Sequence, residues 1–172
     1  MSRVIQADTR QKLKHHEAKE RYFESVGYRV VHSKLLCGDY CVPSKTNIAV
    51  DTKASIQELY GNLIQDHMRF RAECQLAKDC GIKLYILVEN KDGITDVYGV
   101  RDWKNPRMYA WYKKRKSYMH RGLEPPKPPA SNAQLVKIMW SMANKYGVEF
   151  KFCSPEDAGR KVLELLGESA DE

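Results

Sequence analysis

Near the middle of the chain, Ile82-Lys83-Leu84-Tyr85-Ile86-Leu87-Val88 is a nearly unbroken apolar run. It is far too short to span a bilayer. A strand that is apolar on both faces has to be covered on both faces, so this run reads as a central strand with helices above and below. The preceding segment supplies one cover. Residues 54–79 carry Ile56, Leu59, Tyr60, Leu63, Phe70, Cys74 and Ala77 at the helical period. Gly61 interrupts that helix at a cost of roughly 1 kcal/mol against alanine, and Gly81 stops it.

The remaining elements fall around this unit. Residues 9–26 read as a helix with Leu13, Phe23 and Val26 inward, Ala18 and Tyr22 nearby, and Lys12, Lys14, Lys19 and Arg21 on the other side. Gly27 ends it, as a glycine past the last turn commonly does. Strands are expected at 28–36, 39–42 and 48–53, with a bend at Gly38 and a turn at 43–47. A short strand is expected at 94–100. Glu124-Pro125-Pro126-Lys127-Pro128-Pro129 is a stiff, extended connector. A helix at 131–146, capped by Ser131 or Asn132, an alternating strand at 148–153 and a helix at 155–166 follow, with 167–172 as a fraying acidic tail. The pattern predicts an α/β fold in which helices cover a central mixed sheet. The length, 172 residues, suits one domain, with the part beyond the connector as its closing layer.

The formal charge is +7. Such a surface favours an anionic partner, nucleic acid or an acidic membrane face, or serves solubility alone. The five cysteines, Cys37, Cys41, Cys74, Cys80 and Cys153, are odd in number and show no C-x-x-C pair. They read as free thiols of a reducing compartment. The first residues contain no apolar leader segment, and no run is long enough for a membrane span. A cytoplasmic protein is expected.

Chemistry is suggested by Asp39, Asp51 and Lys53. A hairpin over 39–53 can bring the two carboxylates together. Asp51 and Lys53 share one side of a strand, because side chains alternate. Carboxylate oxygens are hard ligands suited to Mg2+ or Mn2+. A metal held there would activate water and stabilise charge on a phosphate. Lys53 would position the nucleophile or stabilise the developing charge. The Thr52 carbonyl, with its side chain expected to point away, is a natural third ligand. Gly38 gives the backbone room for a sharp bend. The plain alternative makes these residues ordinary solvated groups at strand ends.

Two helices offer candidates for the rim of the site. Glu20 and Glu24 lie four apart, and two like charges there gain nothing unless a cation is near. On the long helix Asn62, Asp66, Arg69 and Glu73 share a side. Arg69 and Glu73 make either a surface ion pair or a phosphate contact and an outer ligand. Between Arg101 and Arg121, eight lysines and arginines face one acid, Asp102, with Trp103, Tyr109, Trp111, Tyr112 and Tyr118 interleaved. Such a segment can neutralise phosphates and stack on bases. It can equally be a solvated loop with its tryptophans packed on the domain, or cation-π anchors.

Gly38-Asp39-Tyr40, Val50-Asp51-Thr52-Lys53, Met68-Arg69-Phe70 with Glu73, and Tyr85-Ile86-Leu87-Val88-Glu89 together resemble the PD-(D/E)xK nuclease superfamily. Within it the likeness is to the nuclease domain of the xeroderma pigmentosum group F type, with its small phage and bacterial relatives, over about residues 10–90. The end of the chain from Tyr146 is similar to the same relatives. The resemblance implies a restriction-endonuclease-like core and cleavage of DNA phosphodiesters with Mg2+ or Mn2+, with branched or flapped DNA among the candidate substrates. It implies that Asp39 is the first metal aspartate, Asp51 the acid of the D/E-x-K pair and Lys53 the catalytic lysine. Glu24 would be the first-helix acid and Arg69 the arginine of the following helix. Lys113, Lys114, Arg115 and Lys116 are candidate DNA contacts from the residues themselves, with Glu20 and Glu73 as outer-shell candidates. Related nucleases often pair, so a homodimer is an open expectation. The group F branch shows Glu-Arg-Lys where this chain has Asp51-Thr52-Lys53, so its middle arginine is absent. No helix-hairpin-helix module is seen in the sequence. The alternatives are a DNA-binding protein that kept this fold without cleavage, and a scaffold of a phage or repair complex.

Overall fold

The structure, a computed structural model, describes residues 3–11 and 13–168. The expected burial of the Leu13 side chain and the expected fraying of 169–172 lie outside the described residues. Six strands form one mixed sheet: β1 (Arg3–Asp8), β2 (Tyr28–Ser33), β3 (Tyr40–Val42), β4 (Lys45–Lys53), β5 (Lys83–Glu89) and β6 (Glu149–Cys153). Their order across the sheet is β2-β1-β3-β4-β5-β6. The short β3 runs antiparallel to both its neighbours, while β1 and β2, β4 and β5, and β5 and β6 pair in parallel. Parallel neighbours need crossovers, and helices provide them.

Helix α1 (Leu13–Ser25) links β1 to β2, and α6 (Ala158–Leu165) lies beside it. Phe23, Val162, Leu163 and Leu166 bury one face of the sheet with Ile5, Tyr40, Val50 and Leu87. The other face is covered by α2 (Ile56–Tyr60), α3 (His67–Asp79) and α5 (Asn132–Tyr146). There Leu59, Leu63, Phe70, Leu135 and Met139 pack on Leu84, Ile86, Val88 and Phe150. The apolar run of β5 thus feeds two cores, as its lack of a polar face requires. Each fully buried Leu or Ile contributes about 1.5–3 kcal/mol from removal of its surface from water. The architecture is α/β, a central mixed sheet flanked by helices, consistent with a restriction-endonuclease-like core.

Several elements differ from the sequence expectation. Strand β1 was not foreseen, because only Ile5 and Ala7 turn inward and the signal is short. Segment 94–100 is not a strand. Both edges of β5 are already paired, and Asn90 closes the loop that follows it. Its Nδ2 donates to Ile94 O at 2.8 Å while its Oδ1 accepts from Ile94 N at 3.0 Å. A 3-10 turn, Tyr98–Asp102, follows. The long helix is broken into α2, a π-helical turn at Gly61–Gln65 and α3. The π turn lets Leu63 and Phe70 stay in the core while Asn62 and Asp66 line the open side. The basic segment is a helix, α4 (Pro106–His120), started by the Asn105 cap and Pro106. It buries none of its residues. Glu168, expected in a fraying tail, accepts from Tyr28 Oη at 2.9 Å and pairs with Lys45 at 2.6 Å. Among the described residues no helix is long and apolar enough to cross a membrane.

Candidate active site

Three backbone devices bring Asp39 to the end of β4. Gly38 adopts φ +71°, and a Cβ there would stand 3.1 Å from Val50 O. Asp39 N donates to Val50 O at 2.8 Å, and Asp39 O accepts from Asp8 N at 2.8 Å. Gly38 N donates to Glu73 Oε1 on α3 at 2.9 Å. Asp8, buried at the end of β1, accepts from Leu35 N at 2.9 Å and from Arg10 Nε at 2.8 Å, and so fastens the incoming loop. Gly38→Ala is expected to lower stability by about 1–2 kcal/mol, the left-handed penalty of a side chain, in urea denaturation. An unchanged midpoint would mean that the bend relaxes freely.

The Asp39 carboxylate faces Thr52. Its Oδ2 accepts from Thr52 N at 2.8 Å and from Thr52 Oγ1 at 2.6 Å. The Thr52 side chain therefore does not turn away from the site, contrary to the alternation argument. It serves Asp39 from the far face of the strand, because the cleft wraps round the strand end. Asp51 and Lys53 do share the other face. Lys53 Nζ lies 2.7 Å from Asp51 Oδ2 and 5.1 Å from the centre of the Phe70 ring. The Lys53 ammonium is thus the counter-charge of the buried Asp51 Oδ2. Beyond Lys53, Ser55 caps α2 by accepting from Glu58 N, and Glu58 Oε2 accepts from Ala54 N at 2.8 Å. These bonds fix the chain as it leaves the site.

Burial raises the pKa of Asp51 to about 7, with Asp39 and Glu73 adding repulsion that the Lys53 ammonium only partly offsets. Asp39 is also raised, first by burial, against the stabilising bonds from Thr52. Burial alone would lower the pKa of Lys53, but the Asp51 carboxylate outweighs it and the ammonium is held charged.

These groups open into a cleft of about 690 Å3. Seven carboxylates line it, those of Asp8, Asp39, Asp51, Glu58, Asp66, Glu73 and Glu89, against four lysines and arginines. Two buried oxygens on its wall, Gln11 Oε1 and Asn62 Oδ1, have no hydrogen-bond partner among the described residues, while Asp51 Oδ2 and Glu89 Oε2 each face a lysine ammonium at 2.7 Å. An acidic concavity with unserved acceptors is unusual in a chain of charge +7. Buried acceptors of this kind call for a cation or a donor from a ligand. Among the described residues, no group of three or more His, Cys, Asp or Glu side chains is arranged to hold a metal ion.

The opposite wall carries groups that the sequence reading missed. Lys19 pairs with Glu89 at 2.7 Å, with both side chains almost fully buried. Beside them His16 Nδ1 and Tyr40 Oη are 2.6 Å apart. Burial, then Lys19, lowers the His16 pKa to about 4, so the ring is neutral near pH 7. Burial raises the Tyr40 phenol, which stays protonated. The signal was present as spacing: His16, Lys19 and Phe23 share one helix face at i, i+3 and i+7. Apolar periodicity alone defines the expected inward face, which puts Lys19 on the other side and leaves His16 without a place.

The other candidates divide. Arg69 is exposed on the cleft wall. Glu73 lines the cleft too, but its bond goes to Gly38 N, and the ion pair with Arg69 is not formed among the described residues. Glu24 is exposed and Glu20 meets His32 at 3.0 Å; neither lines the cleft. They face outward because Phe23 takes the inward position. Lys113, Lys114, Arg115 and Lys116 are exposed on α4, which contains no acid. At the base of α4, Arg107 donates to Gln65 Oε1 at 3.1 Å and lies 5.3 Å from the Tyr60 ring centre. Trp103 is buried against Tyr60, and Trp111 Nε1 donates to Pro126 O at 2.8 Å, so the proline connector straps the helix.

With this geometry in view, the comparison with solved structures is informative. The chain shares its fold with XPF from Aeropyrum pernix. The match covers 95% of this chain and 60% of that one, at a TM-score of 0.58 and 16% identity. The chain thus spans about 60% of that protein's length. No profile of a known protein family matches the sequence, and no curated protein matches it.

Proposed function

We propose that the chain is a divalent-metal-dependent deoxyribonuclease that hydrolyses phosphodiester bonds at Asp39, Asp51 and Lys53. The acidic cleft carries this reading. Its excess of carboxylates would repel a phosphate unless a cation intervened. Asp51 Oδ2, buried beside the Lys53 ammonium, is the kind of hard oxygen that Mg2+ or Mn2+ takes. Asp39, Asp51 and the Thr52 carbonyl would hold the ion. A bound ion would lower the pKa of a water and offset charge on the phosphate. The Lys53 ammonium, held charged by Asp51, stabilises charge on the phosphate oxygens as the bond breaks. Thr52 orients Asp39, Glu73 fixes the Gly38 bend, and Arg69 contacts a phosphate at the rim. The likeness to XPF supports the same reading at the level of the fold.

A second reading, a DNA-binding protein without cleavage, is favoured by the lack of a three-ligand side-chain cluster among the described residues. Cleavage of supercoiled, branched and linear DNA in Mg2+ or Mn2+, against EDTA, separates the two. Cleavage in neither metal would favour the second.

In either case α4 supplies the grip. Neutralising Lys113, Lys114, Arg115 and Lys116 together is expected to make the log-log slope of affinity against salt shallower by several units, about 0.9 per duplex phosphate contact. The loss should be alike for two duplexes of unrelated sequence, since phosphate contacts carry no base code. Stability should barely change, because α4 buries nothing. An unchanged salt slope would remove these residues from the interface.

A further inference from the structure

A second cavity, of about 440 Å3, opens where α4 leaves the body of the protein. The hydrolytic chemistry makes no use of it. Trp103, Met108, Tyr109 and Tyr112 line it, with Asn105 and Asn132. Tyr109 and Tyr112 stand three apart on α4 and so share a face, and they are 60% and 50% exposed. These rings belong to no core. Tyr112 is nonetheless held in place. Tyr112 meets Trp111 edge-on at 5.1 Å, and Trp111 is fixed by the strap through Pro126 O. The Trp103 side is rigid as well, since Asn132 Nδ2 donates to Trp103 O at 2.6 Å and Arg101 O at 3.0 Å.

The surrounding charge says what such a pocket takes. Lys104 is on the wall, the Lys113–Lys116 run lies just beyond on the same helix, and the one carboxylate on the wall is Asp102. The complementary ligand has a planar apolar part and an adjoining chain of anions. That is a nucleobase on its phosphate backbone. The volume lies in the range of sites that enclose small organic groups. A base inside a duplex cannot enter, because both its faces are stacked.

We propose that this cavity takes one unpaired base of the DNA held along α4, stacked on Tyr109 and Tyr112. The proposal rests on the DNA reading above and adds a base-binding site to it.

The test uses the full chain in EDTA and two labelled DNAs, a duplex with a short gap carrying 2-aminopurine and its fully paired counterpart. The wild type should bind the gapped DNA more tightly and quench the 2-aminopurine emission. Tyr109→Ala with Tyr112→Ala should weaken gapped binding about fivefold to a hundredfold, the range for loss of stacking on one or two bases. It should abolish the quench and leave paired binding nearly unchanged. Tyr109→Phe with Tyr112→Phe should restore all three, which also controls for folding. Equal wild-type affinity for the two DNAs would overturn the proposal, as would equal loss for both in the alanine variant. Cleavage is read separately in Mn2+. Discrimination without cleavage would refute the nuclease and leave the pocket standing, while cleavage without discrimination would do the reverse.

Discussion

Replacing Lys53 by alanine is expected to slow DNA cleavage by about a hundredfold or more while DNA affinity stays nearly intact. The magnitude is that of losing one preorganised charge from a transition state. The split follows because Lys53 sits inside the cleft, 8% exposed, rather than on the exposed basic helix proposed to hold the duplex. The lysine has a second role that the assay must separate. It is the counter-charge of the buried Asp51 carboxylate at 2.7 Å. Without it the Asp51 pKa should climb further, and metal binding at neutral pH would weaken. Single-turnover rates at pH 8.5 with saturating Mn2+ remove that second effect. A large rate loss that persists there places Lys53 in the chemical step. Rates equal to wild type under those conditions would take it out of the mechanism. Lys53→Arg should rescue poorly, since the planar guanidinium is larger than the ammonium packed on Phe70.

Asp51→Asn is expected to abolish Mn2+ binding in calorimetry and cleavage with it. If Asp51 is a metal ligand, protons must compete with the metal for it. Because its pKa is raised to about 7 by burial, Mn2+ affinity should fall about tenfold for each pH unit below that value. The metal-free protein should show the linked effect on stability. A carboxylate with a raised native pKa binds protons more readily folded than unfolded. Its contribution is full below the ordinary carboxylate range and is lost as pH rises towards about 7. Asp39, raised in the same direction, adds to this trend. The metal-free wild type should therefore lose stability between about pH 4 and 7, and Asp51→Asn should flatten that slope. Mn2+ binding of equal strength in Asp51→Asn would place the metal elsewhere.

Much of the fold could be read from residue types because its cause was local. The apolar run of β5 had to be a doubly covered strand, and the break at Gly38 had to be a bend. What could not be read depended on partners far along the chain. Strand β1 owes its existence to pairing with β2 and β3 on both sides. Segment 94–100 finds no place beside β5, whose edges are taken by β4 and β6, and the Asn90 side chain holds it as a loop. The π turn at Gly61–Gln65 reflects two neighbours in space, the core and the cleft, pulling one helix into two registers.

The site divides in the same way. Asp39, Asp51 and Lys53 were legible because hairpin and alternation are short-range rules, and the structure gathers them at one strand end. The inner wall, His16 and Lys19 with Glu89, was not. A buried lysine is rare unless paired, and its partner lies 70 residues away on another element. Glu20 and Glu24 are candidates through their i, i+4 charge spacing, and Glu24 also through the family resemblance, and neither signal tells an inward face from an outward one. The basic segment was foreseen as a DNA contact or a solvated loop. Its helix, projecting with no buried residue, was hidden because interleaved aromatics ordinarily signal packing.

The central claim is metal-dependent hydrolysis at Asp51, and the most direct test is cleavage of DNA by the purified full chain in parallel with Asp51→Asn. Supercoiled plasmid, gapped duplex and branched DNA would be incubated with Mg2+, with Mn2+ and with EDTA. The expected result is cleavage by the wild type in at least one metal, none in EDTA, and none by Asp51→Asn in any condition. No cleavage of any of these DNAs by the wild type, or equal cleavage by both proteins, would contradict it.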